Sequence, residues 1–267
     1  MNPTLNIAIS AARAAGSIIM RHINQIASLS VKVKQRNDFV SEVDNLAEQE
    51  IIRIIRRAYP QHAILAEESG YNEIEKNDYL WIIDPLDGTT NYLHGFPQFA
   101  VSIALKHRDR LQLGIVYDPF KEELFCASRG EGATLNNRKI RVTKLPDLTY
   151  ALIGTGIPFR PDQDVDAYLG TLRAFIQDTA GVRRAGSAAL DLAYVAAGRL
   201  DGFWEFGLNP WDTAAGVVLI QEAGGLVGDF SGGHTHLETG NIVAGNPKVF
   251  KAMVKTLRFH LAPRSCK

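Results

Sequence analysis

The stretch that most restricts this chain is Trp81-Ile82-Ile83-Asp84-Pro85-Leu86-Asp87-Gly88-Thr89-Thr90-Asn91. An apolar, strand-like run leads straight into two carboxylates three residues apart and then a turn. A desolvated carboxylate costs several kcal/mol unless it is paired or bound to a cation, so positive charge is expected at the end of this strand. A second run, Ala63-Ile64-Leu65-Ala66, ends in the same way in Glu67-Glu68. If the two strands are parallel neighbours, their carboxylates converge at one sheet edge. A hard divalent ion suits that arrangement, and magnesium prefers six oxygen ligands at ~2.0–2.1 Å. Pro85 fixes a backbone torsion and can aim the Leu86 carbonyl at the same ion. Gly88 lets a ligand approach the main chain, and Thr89 and Thr90 add hydroxyls beside N–H groups suited to phosphate. The competing reading makes DPxDG an ordinary turn whose Asp residues accept from local N–H groups. For the eleven residues alone the two readings stand even, and the Glu67-Glu68 pair tilts the balance toward metal.

Composition narrows the function classes. The 267 residues are 46% hydrophobic and 22% charged, enough for one large or two small units with a substantial core. Twenty-nine acidic residues balance 29 basic ones, which disfavours wholesale binding to nucleic-acid phosphates. Cys126 and Cys266 lie far apart and form no CxxC pair, as expected of a reducing compartment. No signal-peptide pattern and no run of the ~20 apolar residues that span a bilayer is present, so the expectation is a cytoplasmic protein with no membrane partner.

Helical spacing covers 4–23, and a clearer helix begins at Ser41, with Asp44 in capping-box position and an apolar stripe from Val43 to Ala58. Strands are expected at 63–66, 80–83, 99–106, 111–117, 122–127 and 150–154, with turns at Arg108-Asp109-Arg110 and Asn136-Asn137. Gly186-Ser187-Ala188-Ala189 opens a small-residue helix ending near Gly198, and Pro210 introduces another from Trp211 to about Ala223. Strands set against helices predict an α+β layered architecture. One unit over 1–267 is expected, with a subdivision near 142–150 into a metal- and phosphate-binding half (1–145) and a substrate-binding and dimerisation half (146–267).

"ILAEES", "WIIDPLDGTTN" and "WDTAAG" resemble, in order and over nearly the whole chain, the signatures of the inositol monophosphatase family of magnesium-dependent, lithium-sensitive phosphomonoesterases. "RAGSAALDLAYVAAGRLDGFWE" and "TGNIVAGNP" bring the likeness closest to bacterial members of the extragenic-suppressor type. The resemblance implies an αβαβα sandwich of the inositol monophosphatase and fructose-1,6-bisphosphatase type. It implies two or three Mg2+ ions held by Glu67, Asp84, Asp87, Asp212 and the Leu86 carbonyl, with Asp84 bridging two of them. Gly88 and Thr89 would bind phosphate, Glu205 the inositol hydroxyls, and Gly186 and Ala188 would line the pocket. Asp44 would pair with Thr89, and Glu68 would lie beside the metals. The implied reaction is direct hydrolysis of myo-inositol 1-phosphate, with Glu67, Thr89 and Asp44 positioning and deprotonating water and no covalent intermediate.

Each assignment has a plainer competitor. Asp44 serves equally as a capping acid, the two roles being compatible; Asp212 falls in a first helical turn where an acid is favoured anyway. Glu205 follows the aromatic run "DGFWEFG" and can be an exposed alternate residue. The 186–198 helix reads first as close packing, and His234 and His236 read as a surface hairpin. Fructose 1,6-bisphosphate and 3′-phosphoadenosine 5′-phosphate are rival substrates; Glu205 favours a polyol, while Phe203, Trp204 and Phe206 keep the nucleotide open. A homodimer is implied by the resemblance. So is a non-catalytic role with ribosomal RNA antitermination factors or RNA polymerase, for which Arg53/Arg56/Arg57 and Arg183/Arg184 offer basic groups that solvated helix faces explain as simply. Gly224-Gly225-Leu226-Val227-Gly228 is a poor dinucleotide site because its glycines follow a helix.

Overall fold

Trp81, Ile82 and Ile83 divide their side chains between two hydrophobic cores, and that alternation organises the molecule. The computed structural model describes residues 2–28, 31–35, 38–72, 78–158 and 163–261. Helix α1 (Pro3–His22) begins at Asn2, whose side chain accepts from the Thr4 amide at 3.1 Å, with Pro3 at the first helical position. A short hairpin of β1 (Val31–Gln35) and β2 (Asp38–Ser41) leads into α2 (Glu42–Ala58), which starts in a complete capping box of Ser41 and Asp44.

The first sheet comprises β3 (Ala63–Ala66), β4 (Gly70–Asn72) and β5 (Tyr79–Asp87), the short helix α3 (Thr89–Leu93), then β6 (Ala100–His107), β7 (Arg110–Asp118), β8 (Glu123–Ser128), β9 (Gly132–Leu135) and β10 (Arg138–Lys139). Its order is β10-β9-β8-β7-β6-β5-β3-β4, antiparallel except for the parallel pair β3 and β5. Next come β11 (Leu152–Thr155), α4 (Val165–Asp178), β12 (Gly181–Arg183), α5 (Ala188–Ala196), β13 (Gly202–Glu205), α6 (Pro210–Glu222), β14 (Leu226–Gly228), α7 (His236–Thr239), β15 (Ile242–Gly245) and α8 (Pro247–Leu261). These give a second, mixed sheet in the order β12-β11-β13-β15-β14.

Helices α1 and α2 cover one face of the first sheet, burying Trp81, Ile83, Ile103 and Ile115. Its other face, with Ile82, Ala104, Val116 and Phe125, packs on α5 and α6. The same helix pair meets Phe203 and Ala244 of the second sheet, whose far face sends Trp204 and Val243 toward α4 and α8. The result is an α+β fold in five layers, αβαβα. Burying a side chain such as Ile83 contributes about 1.5–3 kcal/mol, which is why the period-two alternation holds the strands in register.

Two sequence expectations change in detail. β5 does not stop at Ile83 but runs on through Asp87, with a register shift between Asp84 and Asp87 opposite β6. Pro85 has no N–H to give the ladder, so the strand bulges where the two carboxylates sit. Of the two histidines expected on a surface hairpin, His234 is exposed in the connection between the antiparallel strands β14 and β15, but His236 is buried. Asp229 accepts from the Ser231, Gly233 and Thr235 amides, and the turn delivers His236, only 6% exposed, to the start of α7. The 142–150 segment runs between the two sheets, joining β10 to β11. Cys126 is buried, its thiol pushed up to about 12 by desolvation; Cys266 lies outside the described residues.

Candidate active site

The parallel pairing of β3 and β5 sets Ala66 beside Ile83, so both strands deliver their carboxylates at the same edge. Glu67 follows β3 directly, its amide donating to Ile83 O at 3.1 Å. Asp84 is 1% exposed and its Oδ1 accepts from the Leu86 amide at 2.9 Å. Asp87 faces the start of α5: its Oδ2 accepts from the Ser187 hydroxyl at 2.6 Å and the Ala189 amide at 2.7 Å. Asp212 arrives on the first turn of α6, accepting from the Asn209 amide at 2.7 Å. Ser102 ties that turn to β6, donating to Trp211 O at 3.0 Å. Two helix N-termini therefore face the cluster, a polarity that favours negative charge.

These carboxylates sense one another. Burial, followed by Glu67, Asp87 and Asp212, holds the Asp84 carboxyl well above the usual carboxylate range. Burial lifts Asp87 to about 6, against the lowering effect of Ser187 and Ala189. Asp212 is raised by burial and then by Asp87. Among the described residues no three His, Cys, Asp or Glu side chains already close around one point. The donor set, carboxylates beside a main-chain carbonyl and with no sulfur or imidazole among them, fits a hard cation such as magnesium.

Thr89 joins this cluster to α2. Its Oγ1 lies 2.8 Å from Asp44 Oδ1 and 3.0 Å from Leu86 O. Asp44, fully buried, meanwhile accepts from the Ser41 amide through Oδ2 at 2.9 Å, so the capping role and the threonine contact coexist on the two oxygens of one carboxylate. Burial is the largest influence on Asp44 and raises its pKa despite these bonds. Gly88 has φ +93°, a conformation that other residues adopt only with strain, and it is flanked by the Gln98 and Gly186 carbonyls. Asn91 Nδ2 bonds Gln98 O, Ala185 O and Gly186 O at 2.7, 2.9 and 3.2 Å, tying the Gly88 turn to the entry of α5. Gly186 thus lies against Gly88, and the Ala188 backbone adds a bond to Asp87.

Glu205 ends β13, partly exposed and close enough to raise Asp212 electrostatically. Its neighbours Phe203 and Trp204 are fully buried on opposite faces of the sheet, and Phe206 packs on Tyr168 and Phe230. Phe203 and Trp204 therefore offer no exposed ring, while Phe206 stays partly exposed. Glu68 stands next to Glu67, with its amide held by Glu48 at 2.8 Å. Sequence reasoning passed over Glu48, Ser187 as a partner of Asp87, and Gly156 beside Glu205. For Glu48 the available signal was its position four residues after Asp44 on the same helix face.

Comparison with known proteins identifies the family. The model of the inositol monophosphatase family matches residues 1–262, and the chain belongs to that family. Within it, the chain is 57% identical over 267 residues to the Nus factor SuhB of Pseudomonas aeruginosa, covering 98% of each protein. It is 50% identical over 262 residues to the Nus factor SuhB of Escherichia coli, again covering 98% of each. Among solved structures, the extragenic suppressor protein suhB of Bartonella henselae matches with TM-score 0.92 and 43% identity, over 95% of this chain and 97% of that one. The inositol monophosphatase of Anabaena matches with TM-score 0.84 and 42% identity, over 96% and 95%.

Proposed function

We propose that this chain is a magnesium-dependent phosphomonoesterase that hydrolyses myo-inositol 1-phosphate to inositol and phosphate. The observation that carries the reading is the convergence of Glu67, Asp84, Asp87 and Asp212 at one sheet edge, beside a Thr89 hydroxyl held by Asp44. Glu67, Asp84, Asp87, Asp212 and the Leu86 carbonyl are the residues that would hold magnesium. When bound, the ions supply positive charge that neutralises the phosphate, acidifies water and stabilises the leaving oxygen. Asp44 accepts the Thr89 hydrogen, which leaves the Thr89 oxygen to accept from, and so orient, the attacking water. Glu67 takes the proton of that water. Gly88 and Thr89 present main-chain N–H groups to the phosphate. Glu205 accepts from ring hydroxyls, and the burial of Phe203 and Trp204 supports a polyol over a nucleotide. Cys126, buried with a raised thiol pKa, is unsuited to act as a nucleophile. The test is a panel of phosphate monoesters assayed with Mg2+ and with chelator. Turnover of inositol 1-phosphate well above the sugar bisphosphate and the nucleotide supports the reading, and no Mg2+-dependent turnover refutes it.

The relatives at 50–57% identity carry the name Nus factor, which supports a second role in transcription antitermination. Capture of transcription factors by both the wild-type protein and a metal-dead variant would separate that role from catalysis. A homodimer belongs to the same proposal, supported by the exposed aliphatic residues Ile157, Leu169 and Ile176 on and beside α4. Among the described residues no helix is long and apolar enough to cross a membrane.

A further inference from the structure

Three consecutive amides fix the turn that carries Glu67. The Glu67 N–H bonds Ile83 O at 3.1 Å across the parallel strands. The next two are taken by a single side chain: Glu68 N donates to Glu48 Oε2 at 2.8 Å, and Ser69 N to Glu48 Oε1 at 2.9 Å. Glu48 is 3% exposed and projects from α2 one turn beyond Asp44. At this spacing the two carboxylates share one helix face. Asp44 holds the Thr89 turn and Glu48 holds the Glu67 turn, so one rigid helix registers the two loops against each other.

The same contact occurs elsewhere without any site attached. Glu222 at the end of α6 accepts from the Gly130 and Gly132 amides, both at 2.8 Å, and stitches the β8–β9 turn to the helix. Both clamps are charge-assisted pairs of bonds and both tie a turn to a helix. They differ in what the clamped turn carries. At Gly130 it is a surface hairpin; at Glu68 it is the residue after Glu67.

We propose that Glu48 is a positioning residue that presets the Glu67 carboxylate for the cation. This rests on the reading of Glu67 as a magnesium ligand. Glu48 touches neither the substrate nor the reacting atoms; it removes the freedom of the turn in advance, so that cation binding does not have to order it. Loosening the clamp therefore weakens Mg2+ binding selectively, as loss of outer contacts to metal ligands does in general.

The test is Glu48→Gln, whose amide oxygen can accept one N–H while its NH2 opposes the other. Mg2+ affinity, measured by calorimetric titration of the full chain, is expected to fall ~10–100-fold. The Mg2+ concentration for half-maximal hydrolysis of inositol 1-phosphate should rise by the same factor, with KM for the ester unchanged at saturating Mg2+. Glu222→Gln is the control: it loses the same kind of bond to a turn that carries no ligand, so its thermal midpoint falls while its Mg2+ affinity stays at wild type. Should Glu48→Gln fail to fold, Glu48→Asp keeps the charge but is one methylene too short to span both amides, and is read by the same titration. Wild-type Mg2+ affinity in a folded Glu48 variant, or equal weakening by Glu222→Gln, overturns the proposal. A wild-type protein that takes up no Mg2+ overturns the reading of Glu67 itself, and the two failures are told apart by that arm alone.

Discussion

The Glu205 carboxylate occupies the space that a side chain at Gly156 would need: a β-carbon there would overlap the carboxylate oxygens. Gly156 follows β11, which runs parallel to β13, with Thr155 paired to Trp204. The missing side chain on one strand thus makes room for the charged end of its neighbour, beside Asp212. Gly156→Ala is expected to displace Glu205 and raise KM for inositol 1-phosphate by ~10-fold or more, since a hydrogen bond to a charged group is worth about 1.5–3 kcal/mol. Steady-state kinetics on glycerol 2-phosphate should show a smaller change. Equal losses on both esters would make Glu205 structural.

Asp87→Asn should keep the fold, because the amide oxygen can still accept from Ser187 and Ala189, while kcat falls by at least ~100-fold, the scale of a lost electrostatic contact in a catalytic site. Circular dichroism and initial rates decide it together. A folded variant with near-full turnover contradicts the assignment of Asp87 as an anionic ligand.

Lithium should inhibit uncompetitively with substrate. It is small enough for an oxygen cage built for magnesium, but its single charge stabilises a leaving oxygen less well. The measurement is initial rate against substrate at several lithium concentrations, with sodium chloride matching ionic strength. Rates that follow ionic strength and ignore lithium remove Asp212 from the ligand set first.

A pH effect on stability is expected far from the site. His62 Nδ1 accepts the Trp81 indole N–H at 3.1 Å, and its ring stacks between Tyr59 and Tyr79. Burial lowers its pKa in the fold. The unfolded chain, with a histidine near ~6.5, binds the proton first, so this contribution is intact above that pH and is lost as pH falls below it. Urea midpoints at pH 7.5 and 5.5 should differ less in His62→Gln than in the wild type. An identical pH dependence in both proteins contradicts the assignment.

Light scattering during size-exclusion chromatography checks the proposed dimer. A mass near twice the 29.4 kDa chain is expected, and a monomer at every concentration excludes it.

Local chemistry was legible in the residues themselves. An apolar run before Asp84, a capping box at Ser41 and Asp44, and Pro210 at the head of α6 each state a local structure through steric and hydrogen-bonding rules that reach only a few residues. The hairpin at Asn136-Asn137 is equally local, and both residues do take positive φ. The His236 expectation failed because its burial depends on Asp229 gathering the turn around it, which the neighbouring residues alone do not reveal.

By itself, the sequence determined helices α1, α2, α5 and α6, most of the first sheet's strands and that carboxylates end two of them, whereas α4, α8 and most of the short strands of the second sheet were not legible in it. It also determined, through the order of its motifs, the family. Tertiary structure decided what those carboxylates are to one another. Only the parallel pairing of β3 with β5 brings Glu67 to Asp84, and only the packing of α5 and α6 against the first sheet brings Asp87 to Ser187 and Asp212 to the same edge. Glu48 reaches across 20 residues to the Glu68 amide, and Ser187 across 100 to Asp87. Such contacts arise from burial of apolar faces throughout the chain, a collective free energy that no single motif carries.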